Sequence, residues 1–343
     1  MEMKVRLTKE RLREWVNYYG VEGVYVSFSG GKDSTVLLDI ARKMYPDIKA
    51  MFVDVPTQYP ELREFVKTFD NVDIVTSKIS FIETCKKYGF PFFNKEVCEN
   101  VSGARKYWKQ LKEEGIDLND YENLARIMNE RMVNKQGGSN QRLALVLGML
   151  TRDKDHPIEA NPEKKSKFSL VGYKFMLDAP FEISNKCCTI MKKEPAARYM
   201  KETGRVPITA QMADESRLRM NVWLKNSCNS FSEKHPMSNP MSFWLERDVL
   251  EYAKKNDLRL CSVYGDVVED PDVGFRCTGC DRTGCMLCGF GAHMDGNDRF
   301  LKLKETHEGM YKLLDIASNN GVTMRQAIEW INEHGDKSKR VRL

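Results

Sequence analysis

The chain has 343 residues, enough for one large or two modest domains with a real buried core. Its net charge of +5 is mild and does not by itself declare a nucleic-acid binder. No run is long and apolar enough to span a membrane, and the charged start MEMKVRLTKERLREW lacks an apolar signal segment, so a cytoplasmic protein without a membrane partner is expected. Ten cysteines in a reducing compartment then argue for metal or redox chemistry rather than disulfides.

Thr8 is a plausible N-cap for a helix ending near Gly20. Val24, Tyr25 and Val26 read as a short buried strand. Asp33 to Arg42 then runs apolar at helical spacing through Val36, Leu37, Ile40 and Ala41. Between them lies Ser29-Gly30-Gly31-Lys32-Asp33-Ser34. Two glycines let the backbone turn sharply and bring its N–H groups close to an anion. The following helix aims its positive N-terminal end at the same spot, Lys32 adds a full charge, and Ser29 and Ser34 offer hydroxyls. A phosphate cradle at the end of the first strand is the physical expectation. The spacing is not that of the Walker loop, which needs four residues between its first Gly and a Gly-Lys pair.

Ile48 to Val53 reads as a second strand ending at Asp54, which a parallel sheet would turn towards a bound nucleotide. Pro60 opens a helix as a first-turn proline, Val72 to Val75 is a third strand, and Phe81 to Tyr88 another helix. This alternation implies an α/β fold with an open, mainly parallel sheet and helices on both faces. From Lys95 the pattern turns helical, with Val97 to Leu111, Tyr121 to Met132 and Gln141 to Met149 as helices; residues of about 95–165 form an insertion that lids or flanks the cleft. Lys95, Arg105 and Lys106 there either touch an anionic substrate or form a solvated helix face. Thr151 to Lys167 reads as a charged surface loop. The expected division is a nucleotide-binding domain over 1–265 and a cysteine-rich, metal-binding segment with closing helices over 266–343.

Asn185-Lys186-Cys187-Cys188 precedes the helical TIMKKEPAARYM. Adjacent cysteines seldom bridge each other, but two thiolates at a helix start are good metal ligands. Cys277-x-x-Cys280 and Cys285-x-x-Cys288 form two further pairs, with Gly279 and Gly284 permitting tight turns. Alone, the double pair suggests a four-cysteine zinc site; with Cys187 and Cys188 there are six candidates, more than one tetrahedral zinc uses. Cys85, Cys98, Cys228 and Cys261 lack such spacing and read as small core residues.

The SGGKDS segment resembles the PP-loop of the ATP pyrophosphatase (adenine nucleotide alpha-hydrolase-like) superfamily, matching at all six positions. That resemblance implies a PP-loop/HUP-like fold that binds ATP and cleaves it between the α and β phosphates, with Lys32 and Asp33 at the catalytic centre. VDVPTQYPELREF is similar to the family's second-strand motif, with Val55-Pro56 in place of the usual Thr-Gly. KCCTIMKKEP with Lys192, PIT with Glu215-Ser216 and Arg219, SFWLERDVLEY and TGCMLC resemble, in order, segments of the phosphoadenosine phosphosulfate (PAPS) reductase-like family. The resemblance implies a [4Fe–4S] cluster on Cys187, Cys188, Cys285 and Cys288, and Ser216 and Arg219 facing nucleotide phosphates. Zinc on Cys277, Cys280, Cys285 and Cys288 is the rival, and a mixed set is also open.

Two departures steer the expectation away from sulfonucleotide reduction. No cysteine follows Cys288 in DKSKRVRL-terminated sequence, and the first loop keeps its full ATP-cleaving pattern. Both point to the branch that resembles the DNA phosphorothioation sulfurtransferase and the PP-loop tRNA thiolases. There ATP and Mg²⁺ activate an acceptor, DNA or tRNA, for sulfur supplied by a cysteine desulfurase or another donor. The alternatives are a sulfonucleotide reductase and a non-catalytic, zinc-stapled nucleotide-binding subunit. Lys164-Lys165-Lys167, Lys192-Lys193 and the tail from Lys337 to Arg342 are candidate phosphate contacts, and Trp223, Phe231 and Trp244 either stack on bases or pack in a core.

Overall fold

The computed structural model describes residues 1–133, 137–151, 157–161, 166–294 and 296–343, so most of the expected 151–167 loop, with Lys164 and Lys165, lies outside the described residues. In chain order the elements are α1 (Glu2–Tyr19), β1 (Val24–Ser27), α2 (Lys32–Met44), β2 (Ala50–Asp54), α3 (Pro60–Val66) and β3 (Val72–Thr76). Then come α4 (Phe81–Tyr88), β4 (Phe92–Phe93), α5 (Lys95–Glu113), α6 (Tyr121–Val133), α7 (Gly137–Leu147) and the short α8 (Lys186–Cys188). After these follow α9 (Glu194–Thr203), β5 (Val206–Ile208), α10 (Arg217–Asn226), β6 (Asn229–Ser230), β7 (Met237–Ser238), α11 (Glu246–Lys255), β8 (Val267–Asp270) and β9 (Gly274–Cys277). The last are β10 (Gly289–Phe290), α12 (Arg299–Thr306), α13 (Glu308–Tyr311), β11 (Ser318–Asn319), β12 (Val322–Thr323) and α14 (Met324–His334).

These elements make two compact units, one of Met1–Lys78 with Ile190–Cys285, the other of Ile79–Thr189 with Met286–Leu343. The first holds a six-stranded sheet in the order β3-β2-β1-β5-β7-β6, parallel except for the antiparallel β6–β7 edge. Its strands are β-branched and aromatic, as a sheet covered on both faces requires. On one face Val24, Val26 and Phe52 meet Leu12 and Trp15 of α1, Val36, Leu37 and Ile40 of α2, and Val249 and Ala253 of α11. On the other, Tyr25 and Met51 pack against Tyr199 of α9, whose hydroxyl donates to Asp73 Oδ2 at 2.7 Å. The open parallel sheet with helices on both faces is thus the expected architecture. Among the described residues no helix is long and apolar enough to cross a membrane.

The packing does not divide at 265/266. β8 and β9 pair with each other, and Val267, Phe275 and Cys277 lie on the same core as β1 and α2, so the segment joins the first unit. The helical region expected over about 95–165 belongs to the second unit. There Arg105, fully inside α5, is not a substrate contact: its guanidinium donates to the carbonyls of Phe181 and, at 2.6 Å, Ala179, and pairs with Glu182 at 3.4 Å. The basic tail also packs locally, with Lys339 Nζ 4.8 Å from the Tyr173 ring centre and Arg342 paired with Asp298 at 2.7 Å.

Thr8 is not a cap. α1 begins six residues earlier, at Glu2, and Thr8 lies buried within it. Its hydroxyl donates to Pro240 O at 3.2 Å and accepts from Trp244 Nε1 at 2.9 Å, pinning α1 to the segment before α11. Thr8→Val keeps the shape but leaves a buried indole N–H and a buried carbonyl unpaired. A loss of about 1–3 kcal/mol in urea unfolding is expected, and an unchanged midpoint would show that the pair contributes nothing.

Candidate functional site

The site grows from the turn between β1 and α2. Gly30 sits at φ +71°, in the left-handed region, and a Cβ there would lie 3.1 Å from Val66 Cγ2 and 3.2 Å from Leu62 Cδ2. Only glycine fits both the dihedral and the space. Gly31 is the extended N-cap of α2 and has no side chain of its own to cap the helix, whose N-terminus opens at the turn. Ser29 and Ser34 brace the loop from inside. Ser29 N donates to Ser34 Oγ at 3.1 Å, Ser34 Oγ donates to Gly31 O at 2.9 Å, the two hydroxyl oxygens lie 3.0 Å apart, and Gly31 N donates to Ser29 Oγ at 3.3 Å.

A second segment of the same unit lies over this turn. Lys32 N donates to Tyr264 Oη at 3.2 Å, and Tyr264 Oη and Thr283 Oγ1 are 2.8 Å apart. Lys32 Nζ donates to the Asp281 carbonyl and pairs with Glu246 at 2.7 Å, 5.3 Å from the centre of the Tyr264 ring. The Tyr264 segment is held in turn by backbone bonds from Gly279 N to Tyr264 O and from Cys280 N to Val263 O. Gly279 is required here for a different reason than a metal turn, because a Cβ would meet Val263 O at 2.4 Å.

Between these parts opens a cavity of about 260 Å³, whose wall includes Ser29, Gly31, Lys32, Asp33, Glu246 and Arg282. Its charges are mixed. Burial alone would push the Lys32 ammonium down, but its hydrogen bond to Glu246 and the nearby Asp33 and Glu246 charges hold its pKa above the ordinary value. Burial raises the Asp33 carboxyl, against the opposing pull of Lys32, and its Oδ1 is buried without a hydrogen-bond partner. Burial and the neighbouring Arg282 lower Arg219, which also senses Asp33 and forms an ion pair with Glu215.

The sequence candidates separate on this geometry. Ser29, Gly31, Lys32 and Asp33 line the cavity; Gly30 and Ser34 build the loop behind them. Asp54 does not line it: at the end of β2 its Oδ1 accepts from Arg63 Nε and Nη2 at 2.9 and 2.7 Å. Ser216 is the N-cap of α10, accepting from Arg219 N at 3.3 Å, while Arg219 borders a second, smaller cavity beside the first. Tyr264, Glu246, Arg282 and Thr283 were not singled out from sequence. The signal for the last two was present, since they fill the spacer between the C-x-x-C pairs, but a spacer read for its length hides its chemistry.

The cysteines fall into two groups. Cys277 is buried in the core of the first unit, and Cys280 Sγ lies 3.7 Å from Tyr59 Oη. Cys285 is the last residue of that unit, whereas Cys187, Cys188 and Cys288 belong to the second. In the second unit, Cys98 donates its thiol proton to Phe92 O at 3.1 Å, and Phe92 pairs with Gly289, the neighbour of Cys288. Burial pushes the Cys98 thiol up, and Cys288 and Cys188 lie close enough to add to the effect. Among the described residues no three His, Cys, Asp or Glu side chains are gathered to hold a metal ion. Soft thiolate donors suit a cluster or zinc chemically.

Comparison with known proteins bears on this geometry. A family model described as the phosphoadenosine phosphosulfate reductase domain matches residues 23–162 and 158–289. The chain belongs to this family. The matched span of this PAPS reductase-domain protein covers the loop, the cavity wall and every cysteine discussed above. An uncharacterized protein of Methanocaldococcus jannaschii is 30% identical over 98 residues, 29% of this chain and 18% of that protein, so the chain spans less than a fifth of that relative's length. The crystal structure of a phosphoadenylyl-sulfate (PAPS) reductase from Candida auris, a phosphate complex, aligns over 74% of this chain and 82% of its own at 15% identity, with a TM-score of 0.37.

Asp33 yields a test of the site's electrostatics. A carboxyl whose folded-state pKa lies above its unfolded value adds stability only while protonated, and loses it as pH rises through the folded value. Asp33→Asn is therefore expected to melt above the native chain near neutral pH, with the advantage shrinking as pH falls through the ordinary carboxylate range. Melting curves at the two pH values check this; an advantage equal at both would remove the buried charge as its cause.

Proposed function

We propose that this PAPS reductase-domain protein binds ATP at the β1–α2 turn and cleaves it to AMP and pyrophosphate to activate an acceptor for sulfur transfer. The observation that carries the reading is a helix N-terminus behind a glycine pair, with Lys32 and Arg282 bordering one cavity. A triphosphate in that cavity would accept the loop amides and draw Lys32 away from Glu246. An acceptor oxygen then attacks the α phosphorus, the bond to the bridging oxygen breaks, and pyrophosphate leaves with the electron pair. Lys32, Arg282 and the amides neutralise the charge that builds on it. Asp33, with its raised proton affinity and unpartnered oxygen, takes the acceptor's proton where the acceptor carries one. A sulfur nucleophile afterwards displaces AMP, which carries away the acceptor's oxygen.

Two absent groups belong to this reading. Glu246 and Asp214 are carboxylates of the cavity wall that would hold Mg²⁺ together with substrate phosphates, supplying further charge neutralisation. Cys187, Cys188, Cys285 and Cys288 are the thiols that would hold a [4Fe–4S] cluster able to hold or deliver sulfide, and the activation step does not need them. DNA or tRNA is the acceptor class, and a cysteine desulfurase or similar donor the sulfur source. The family match favours one second reading, reduction of an adenylyl-sulfate to sulfite by an external thiol.

Pyrophosphate release from ATP and Mg²⁺, screened against DNA and tRNA, tests the first reading. Lys32→Ala should lower it by about 10²-fold or more, in line with loss of a donor to a developing anion. Sulfite release from an adenylyl-sulfate, with no pyrophosphate, would select the second reading instead. Protein purified without oxygen should be brown and contain iron and acid-labile sulfide. A colourless preparation with one zinc would replace the cluster by the Cys277, Cys280, Cys285 and Cys288 set.

A further inference from the structure

Helix α10 is unusual in this molecule because it buries none of its side chains. Leu218 and Leu224 are 78% and 72% exposed, and Val222 is 49% exposed. The helix RLRMNVWLKN carries Arg217, Arg219 and Lys225 and no acid, so its exposed apolar surface is flanked by positive charge alone. Such a surface marks a docking site.

Leu218 and Val222, one turn apart, border a slot of about 120 Å³ with Met212 and Trp223. Gln211 and Asn239 add amide edges to its wall. The Thr209 hydroxyl donates to Asn239 Oδ1 and so fixes that amide. Met212 lines both this slot and the phosphate cavity, and Arg219 on the slot wall senses Asp33 and Arg282 on the cavity wall. The slot therefore adjoins the candidate reaction centre across Met212. Of the three aromatics singled out from sequence, Trp244 is fully buried and Phe231 packs on Trp15, Tyr18 and Tyr19; only Trp223 borders this slot.

We propose that α10 is the docking strip for a single-stranded nucleic-acid acceptor, with one base in the slot beside Trp223 and the backbone along Arg217 and Lys225. The inference rests on the proposed sulfur-transfer reading and names the surface by which its acceptor is held. The chemistry selects this occupant over a protein. An apolar, amide-edged slot takes a planar heterocycle, the cations take phosphates, and the shared Met212 wall brings that base to the reacting α phosphorus. A docked protein would fit the apolar strip but has no reason to reach the phosphate cavity.

Anisotropy with a labelled single-stranded oligonucleotide, measured beside ATP-analogue affinity on the full chain, tests it. Leu218→Asp should weaken oligonucleotide binding by about ten-fold, the loss of one stacked base. Arg217→Glu with Lys225→Glu should reduce the slope of log affinity against log salt by about 1.4, the loss of two single-strand phosphate contacts. Trp223→Phe should remove most of the tryptophan quenching that the oligonucleotide causes. ATP-analogue affinity and the circular dichroism melt should stay within error in each variant, since no residue of α10 is fully buried. Unchanged oligonucleotide affinity in these variants, with a wild type that still releases pyrophosphate, overturns the docking strip and leaves the function standing. Lost ATP-analogue affinity would give the slot to adenine, and a changed oligomeric mass would give the strip to a protein contact; either overturns the proposal. A wild type that binds no nucleic acid and releases no pyrophosphate defeats the functional reading itself.

Discussion

The candidate site depends on one steric constraint: the backbone at Gly30 and Gly31 must pass close under other parts of the first unit. Gly30 takes a left-handed dihedral against Leu62 and Val66, and a Cβ on Gly31 would lie 3.1 Å from Ser29 Oγ and 3.3 Å from Tyr264 Oη. Those approaches let Tyr264 reach the Lys32 amide and let Ser29 and Ser34 tie the loop to itself. The hydroxyls that sequence alone offers to a ligand instead hold the amides in place for one. Preorganised donors are worth more than additional flexible ones, because no reorganisation is needed when charge develops.

Electrostatics explains how a buried ammonium is accommodated in this turn. Lys32 is almost fully buried, and an unpaired ammonium there would be costly. Glu246, itself half exposed, and the Asp281 carbonyl satisfy it. The half-exposed partner is the one an incoming phosphate can displace into water at little penalty, while the backbone carbonyl stays. Burial and then Arg282 lower Arg219, which Asp33 and Glu215 balance. The wall therefore holds both signs of charge.

Much of the fold was legible. Alternating strand and helix patterns from Val24 to Tyr88 identify the parallel sheet, and the Ser29–Ser34 motif identifies the turn, because both signals are local. What was not legible depends on distant packing. Thr8 looks like a cap from its neighbours and is a buried bridge to Trp244, more than two hundred residues away in sequence. Asp54 sits where a ligand contact is expected but is claimed by Arg63 nine residues on. Tyr264 and Glu246 reach Lys32 only through tertiary contact, and no spacing rule announces either.

The cysteine-rich stretch shows how one segment answers to several demands at once. Its C-x-x-C spacing reads as a metal knuckle, yet Cys277 is a core residue, Gly279 is demanded by the backbone of Val263, and Asp281 and Thr283 contact the groups that fix Lys32. These residues lie between or beside Cys280 and Cys285. Whatever fixes those two thiols also fixes the carbonyl that holds Lys32 and the guanidinium of Arg282 on the cavity wall. The phosphate cradle and the thiol segment are thus one covalent neighbourhood, and short chain length rather than long-range coupling links their geometry.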